Sequence, residues 1–228
     1  MEKKTERYGS GPAVGKKERL YARLFARVYD PVMAGAEAAF LQEKRQELLR
    51  HARGQVLEVG AGTGANLPLY PADAQVLAIE PSAAMLGYAQ RLLEQEGGVK
   101  AQVQLLQAGI EDEAVAQAVP PGGYDCIVVT LVLCTIPHAE GAIGLLRQWL
   151  RPGGRLLVLE HIQAERQPWR WLQQAINPAW KCLAEGCCLN RPTDLRLKAQ
   201  GFHPLEERYY LRQWVPFYWA VMGVAAAK

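Results

Sequence analysis

Short apolar runs rich in β-branched residues alternate with amphipathic stretches through most of this chain. Val56-Leu57-Glu58-Val59 and Gln75-Val76-Leu77-Ala78-Ile79 read as buried parallel strands. So do Ala101 to Gln107, Arg155 to Glu160, and Tyr124 to Val129 with its continuation through Thr130 to Thr135. Helical spacing covers Ser82 to Glu96, stopping at Gly97-Gly98, and recurs around Leu145, Leu146 and Trp149. A tight turn over Leu150-Arg151-Pro152-Gly153-Gly154 reverses the chain into the fifth strand, and a helix ends near Gln200. His203 to Tyr210 and Phe217 to Ala226 supply strands six and seven. Strands alternating with helices predict an α/β fold built on a doubly wound sheet.

Outside this rhythm lie two helical regions and a tail. Residues Met1 to Gly15 are polar and read as flexible. From Lys16 a stripe of Leu20, Leu24 and Val28, flanked by Tyr21 and Phe25, predicts a helix that Tyr29-Asp30-Pro31 ends. Met1 to Asp30 carries eight Lys/Arg against four Asp/Glu. That charge fits a lid over an active site, or a basic amphipathic element touching anionic lipid. Residues 1–30 are therefore expected as a basic tail with a lid helix, and residues 31–228 as the main domain. Glu37 to Ala52 predicts a second helix with Phe40, Leu41, Leu48 and Leu49 inward. Trp169, Leu172, Ile176, Trp180 and Leu183 form an aromatic-rich helical stripe, interrupted at Asn177-Pro178.

Length and composition narrow the classes. With 228 residues and 50% hydrophobic content, the chain suits one large domain. A net charge of +3 is too mild to imply nucleic acid. The five cysteines form no C-x-x-C pair, so neither zinc nor a disulfide framework is expected, and a reducing cytoplasm fits. The polar N-terminus lacks the apolar core of a secretory signal. The longest apolar stretch, Cys126 to Ile136, falls short of the ~20 residues that span a bilayer.

The candidate chemistry sits at the first strand's end. Glu58 is followed by Gly60, Gly62 and Gly64 at alternate positions, then Asn66. Such a turn lets a ligand lie against bare backbone, and Asn66 is placed to start a short helix limited by Pro68 and Pro71. The second strand also ends in an acid, Glu80, followed by Pro81 and Ser82. At that place in a doubly wound sheet a carboxylate accepts hydrogen bonds from ribose hydroxyls, or it simply caps the next helix. A carboxylate does not accept from a 2′-phosphate, which disfavours NADP and leaves NAD as the runner-up cofactor.

The spacing E-x-G-x-G-x-G, with Glu80 and the L-R-P-G-G turn, resembles class I S-adenosylmethionine-dependent methyltransferases. The resemblance narrows at Thr130-Leu131-Val132-Leu133-Cys134, at Leu159-Glu160-His161, and over Trp171-Leu172-Gln173-Gln174, Pro178-Ala179-Trp180-Lys181 and Gly186-Cys187-Cys188-Leu189-Asn190-Arg191. There the chain, from about Tyr29 to Lys228, is similar to the methyltransferase-like proteins of animal endoplasmic reticulum and lipid droplets that methylate alkyl thiols. Those proteins carry an apolar N-terminal anchor, whereas this chain has a basic polar tail.

The resemblance implies a Rossmann-like, seven-stranded doubly wound sheet with helices on both faces and the last strand antiparallel. It implies S-adenosylmethionine held by Glu58, Gly60, Gly62, Gly64, Asn66, Glu80, Pro81, Ile110, Glu111, Thr130 and Leu131. Glu58 would lie near the methionine amine, Glu80 on the ribose, and Ile110 with Glu111 about the adenine. Tyr29 or Tyr21 would roof the cofactor. Methyl transfer needs alignment in a dry pocket, and a thiol acceptor ionises with modest help. His161, nearer the crevice than His138 in this reading, is the expected catalytic base beside Tyr29; Cys134, Cys187 and Cys188 are reactive thiols or small core residues. Small lipophilic alkyl thiols are the expected acceptors. The alternatives are a phospholipid amine or a quinol, or a non-enzymatic lipid-surface module using the N-terminal helix.

Overall fold

The computed structural model describes residues 40–95, 97–184, 186–211 and 216–224. The expected tail, lid helix and start of the second helix lie outside these residues. Helix α1 (Gln42–Leu49) leads into β1 (Gly54–Val59), followed by β2 (Ala74–Ile79), α2 (Ala83–Leu93), β3 (Gln102–Leu106) and α3 (Glu113–Gln117). Then come β4 (Tyr124–Thr130), α4 (Ala139–Trp149), β5 (Leu150–His161), α5 (Trp169–Leu183), α6 (Thr193–Ala199), β6 (Phe202–Tyr210) and β7 (Phe217–Val224). The strands form one seven-stranded sheet in the order β3-β2-β1-β4-β5-β7-β6. β1 to β5 pair in parallel, and β7 runs antiparallel between β5 and β6. This is the expected Rossmann-like architecture.

The two-residue period of each strand sorts the core into two layers. Val56, Val128, Leu157 and Leu159 face one way, with Leu48 and Leu49 of α1 and Ala89 of α2. Leu57, Ile127, Val129, Leu156 and Val158 face the other, with Ile143 and Leu146 of α4 and Leu197 of α6. Both faces are covered, so the central strands read as unbroken apolar runs. Strand order reverses at β1, which has β2 on one side and β4 on the other. The carboxyl ends of β1 and β4 therefore open a crevice at the switch point.

Three expectations change. Strand β4 stops at Thr130 instead of running to Thr135, because Leu131 has φ 54° and turns the chain away. The L-R-P-G-G turn lies inside β5 rather than before it: Arg151 to Gly154 loop out between the Tyr124–Leu150 and Cys126–Arg155 pairs, with Gly153 left-handed at φ 77°. Helix α5 runs unbroken through Pro178. Its apolar stripe faces outward, with Leu172 44% and Leu183 69% exposed. Polar side chains attach this helix instead. Gln173 accepts from the Ala164 amide (2.7 Å) and donates to the Ile162 carbonyl (3.2 Å), while Asn177 accepts from the Leu189 amide (2.8 Å).

The turn into β4 offers a test of backbone packing. Gly122 (φ 88°) and Gly123 (φ 92°) are both left-handed, which costs an ordinary residue about 1–2 kcal/mol. A Cβ on Gly122 meets nothing within 4 Å, whereas one on Gly123 would lie 2.7 Å from the Trp149 carbonyl oxygen. In urea denaturation Gly123→Ala should destabilise by at least about 1 kcal/mol more than Gly122→Ala. Equal losses would mean that the start of β5 yields to the added methyl.

Candidate active site

Glu58, on β1, is 1% exposed. A carboxylate removed from water must be met by donors. Asn66 Nδ2 lies 2.8 Å from Oε1, and the Tyr70 hydroxyl donates to Oε2 at 3.1 Å. Asn66 is held in turn by Arg45 Nη1, 2.8 Å from its Oδ1, and its Nδ2 lies 2.9 Å from Thr130 Oγ1. Arg45 Nη1 also donates to Thr130 Oγ1 at 3.0 Å. One buried web thus joins α1, β1, the glycine turn and the end of β4. Burial pushes the Glu58 carboxyl above its usual range, with the Asn66 and Tyr70 hydrogen bonds and the Arg45 charge opposing. Asn66 starts a short helix as expected, the 3₁₀ turn Leu67–Leu69, but its side chain makes no cap there because the amide points inward to Glu58.

The three glycines differ in what surrounds them. A Cβ on Gly60 would press on the Val132 side chain at 2.3 Å, and one on Gly64 would meet the Ala89 Cα at 3.2 Å. At Gly62 (φ 57°) it would meet nothing within 4 Å, so bare backbone there faces open space. The Gly62 amide donates to Glu80 Oε2 at 3.0 Å, and the Ser82 amide donates to Oε1 at 2.9 Å. A carboxylate has about four acceptor sites. Glu80 therefore fixes the turn and keeps capacity on both oxygens for further donors. Its pKa is raised by burial, against the pull of the Ser82 and Gly62 amides.

The remaining expected cofactor residues are spread along the same rim. Pro81 is exposed, and its carbonyl accepts from Gln107 Nε2 at 3.4 Å. Ile110 packs into the sheet core while Glu111 stands in solvent. Asp112 closes that turn instead, accepting from the Gly109 amide at 2.6 Å. Tyr21 and Tyr29 lie outside the described residues. His138 is exposed at the start of α4.

Beyond Thr130 the crevice gains a wall that the sequence reading only touched. The Leu131 amide donates to the Leu159 carbonyl at 2.8 Å, and the Val132 and Leu133 amides both donate to Glu160 Oε1 at 2.8 Å. Glu160 thereby sets the left-handed turn at Leu131. Burial raises its pKa to about 7, with the His161 charge and those amides opposing. His161 Nε2 lies 3.0 Å from Cys187 Sγ, which lies 3.6 Å from Cys134 Sγ. The Cys134 hydrogen bond, then His161, hold the Cys187 thiol below its usual pKa against burial. Cys134 is pushed up by the same bond and by burial. For His161, burial pulls down, but the Cys187 contact and nearby negative charge prevail, so its pKa is raised. Arg191 Nη1 donates to the carbonyls of Leu133 and Ile136, and the Cys188 amide donates to the Cys134 carbonyl at 3.0 Å.

Residues 33–206 match the family model described as a methyltransferase domain. The chain belongs to the class I S-adenosylmethionine-dependent methyltransferases. This methyltransferase is 30% identical to human thiol S-methyltransferase TMT1A over 183 residues, covering 80% of this chain and 73% of that protein. It is 29% identical to phosphatidylethanolamine N-methyltransferase of Cereibacter sphaeroides over 123 residues, covering 54% and 58%. Its fold resembles an O-methyltransferase family protein from Burkholderia thailandensis, with TM-score 0.67 and 14% identity over 89% of this chain and 60% of that one. S-adenosylmethionine is the methyltransferase's cofactor. Among the described residues no helix is long and apolar enough to cross a membrane.

Several residues of the site were not foreseen. Arg45 sits in what reads as an ordinary amphipathic helix, and Tyr70 beside a proline turn. For Gln173 and Arg191 the signal was present in the specific resemblance, without a role, and Asn177 was read only as part of a helix interruption.

The buried Glu58 yields a pH test. A carboxyl raised above 4.5 in the folded state stabilises below 4.5, and that contribution is lost as pH rises through the folded value. The cofactor-free Glu58→Gln variant should therefore gain stability relative to wild type as pH is raised above 4.5. Chemical denaturation across pH checks this; a pH-independent difference would mean that Glu58 titrates normally.

Proposed function

We propose that this methyltransferase S-methylates small, lipophilic alkyl thiols, with the His161 cluster assisting loss of the thiol proton. The cofactor supplies an electrophilic methyl group on a sulfonium. Gly62 offers it open backbone, Glu80 offers free acceptor sites for ribose hydroxyls, and Glu58 places negative charge beneath the methionine amine. Gly60 and Gly64 serve by letting the turn pack closely, and the Asn66–Thr130 web holds that floor rigid. A thiol needs little help to ionise, so a weakly basic pole suffices.

One observation carries the acceptor reading. Within the segment most specific to the thiol-methylating resemblance, Gln173, Asn177, Cys187 and Arg191 each bond to the loops after β4, β5 or α5. The site residues there are sulfur and imidazole groups rather than a carboxylate cluster for an amine. The second reading is a phospholipid amine, favoured by the likeness to the phosphatidylethanolamine enzyme.

Glu80→Ala should weaken S-adenosylmethionine binding by about 1–3 kcal/mol, roughly 5- to 150-fold. Calorimetry finding unchanged affinity would remove Glu80 from the cofactor site. For the acceptor, the enzyme is offered alkyl thiols, phosphatidylethanolamine and a quinol, with products read by mass spectrometry. Methylated thiols are expected. Methylated lipid or quinol beside untouched thiols would overturn the assignment.

A further inference from the structure

Cys134 follows β4, His161 ends β5, and Cys187 lies in the loop after α5. All three are buried, and their Sγ and ring nitrogen atoms lie within 4.8 Å of one another. We propose that Cys134, His161 and Cys187 form a Cys₂His site for a thiophilic divalent cation of the zinc class, whose open fourth position takes the acceptor thiolate. This rests on the thiol reading above and gives the cluster's assistance a chemical form.

The geometry favours an ion over the alternatives. Zinc holds sulfur at about 2.3 Å and imidazole nitrogen at about 2.0–2.1 Å, so a tetrahedron sets S···S near 3.8 Å and S···N near 3.6 Å. The observed 3.6 Å between sulfurs fits that edge, and the observed 3.0 Å from nitrogen to sulfur needs only a small outward shift. A disulfide would need about 2.05 Å between sulfurs. Soft thiolates with imidazole select zinc over magnesium or calcium. Two thiolates neutralise a divalent charge. Two buried atoms beside the cluster, His161 Nδ1 and Glu160 Oε2, have no hydrogen-bond partner among the described residues.

The frame is in place before any ion arrives. Arg191 fixes the loop that carries Cys134, the Cys188 amide ties the two cysteine loops together, and Asn177 anchors Leu189 to α5. Three protein ligands with one position open is the pattern of a reactive zinc site, whereas structural sites are closed by four. On coordination the acceptor thiol loses its proton to solvent. Its sulfur then forms a bond to the methyl carbon as the sulfonium C–S bond breaks, giving a thioether and S-adenosylhomocysteine. A neutral thioether is a poor ligand, so the product leaves.

The test uses the full chain under reductant. Zinc is counted by elemental analysis after competition with a chromophoric chelator, and cobalt(II) is substituted to read sulfur-to-metal charge transfer and four-coordinate d–d bands. One tightly held ion per chain is expected. Cys134→Ser, Cys187→Ser and His161→Gln should each weaken binding by more than the roughly 100-fold upper range for outer-shell changes; Cys182→Ser should leave it unchanged. Adding an alkyl thiol should shift the cobalt bands even without S-adenosylmethionine. Folded wild-type chain lacking cobalt–sulfur absorption, a metal-free Cys134–Cys187 disulfide by mass spectrometry, or bands unmoved by thiol would overturn the proposal. Full thiol methylation by metal-free enzyme would overturn it while leaving the acceptor reading intact. An ion bound with thiol-shifted bands but no thiol methylated would support the metal site and sink that reading alone.

Discussion

A carboxylate buried away from bulk solvent forces its surroundings to be polar and ordered, and Glu58 imposes that condition on this fold. Its two oxygens need donors, and the sheet cannot supply them because its amides are already paired. The glycine turn must therefore bring Asn66 back over the strand, and Tyr70 must close the other side. Asn66 can point both of its polar ends correctly only if Arg45 and Thr130 meet it. The position of α1 and the path of the glycine turn answer to one desolvated charge.

Glu160 repeats the device one strand further on. It too is a buried acid at the carboxyl end of a parallel strand, and it too bends backbone toward itself, here through the Val132 and Leu133 amides. The left-handed Leu131 is the cost of that bend, held because three successive amides have fixed acceptors. Two acids on β1 and β5, with β4 between them, shape the crevice from both sides.

The sheet was legible because burial on both faces writes itself into continuous apolar runs, and because punctuation by glycine and proline is local. Strand ends were less so. The apolar letters from Leu131 to Ile136 continue a strand pattern, yet the chain turns, since the deciding group, Glu160, lies 28 residues away. The glycine motif gave the crevice, but not that Gly62 alone of the three borders open space. Asn66 was found as the start of a short helix, which it is, but the role of its side chain was not, as partners 21 and 64 residues distant claim the amide. The sulfur–imidazole cluster escaped notice for the same reason: its members lie on three elements, and a local cysteine spacing rule has no reach over such gaps. Helix α5 misled in the opposite direction, since its conspicuous aromatics point outward while two unremarkable amides, Gln173 and Asn177, do the attaching.

Arg191 has a consequence for motion. Its guanidinium bonds carbonyls of the loop after β4, while its own backbone carbonyl accepts from the Gln163 amide after β5 at 3.0 Å. Two loops are thereby fused to a third. A wall braced in this way behaves as a fixed aperture rather than a door. Guests are then selected by the shape of a standing frame, and traffic in and out must use a different part of the rim.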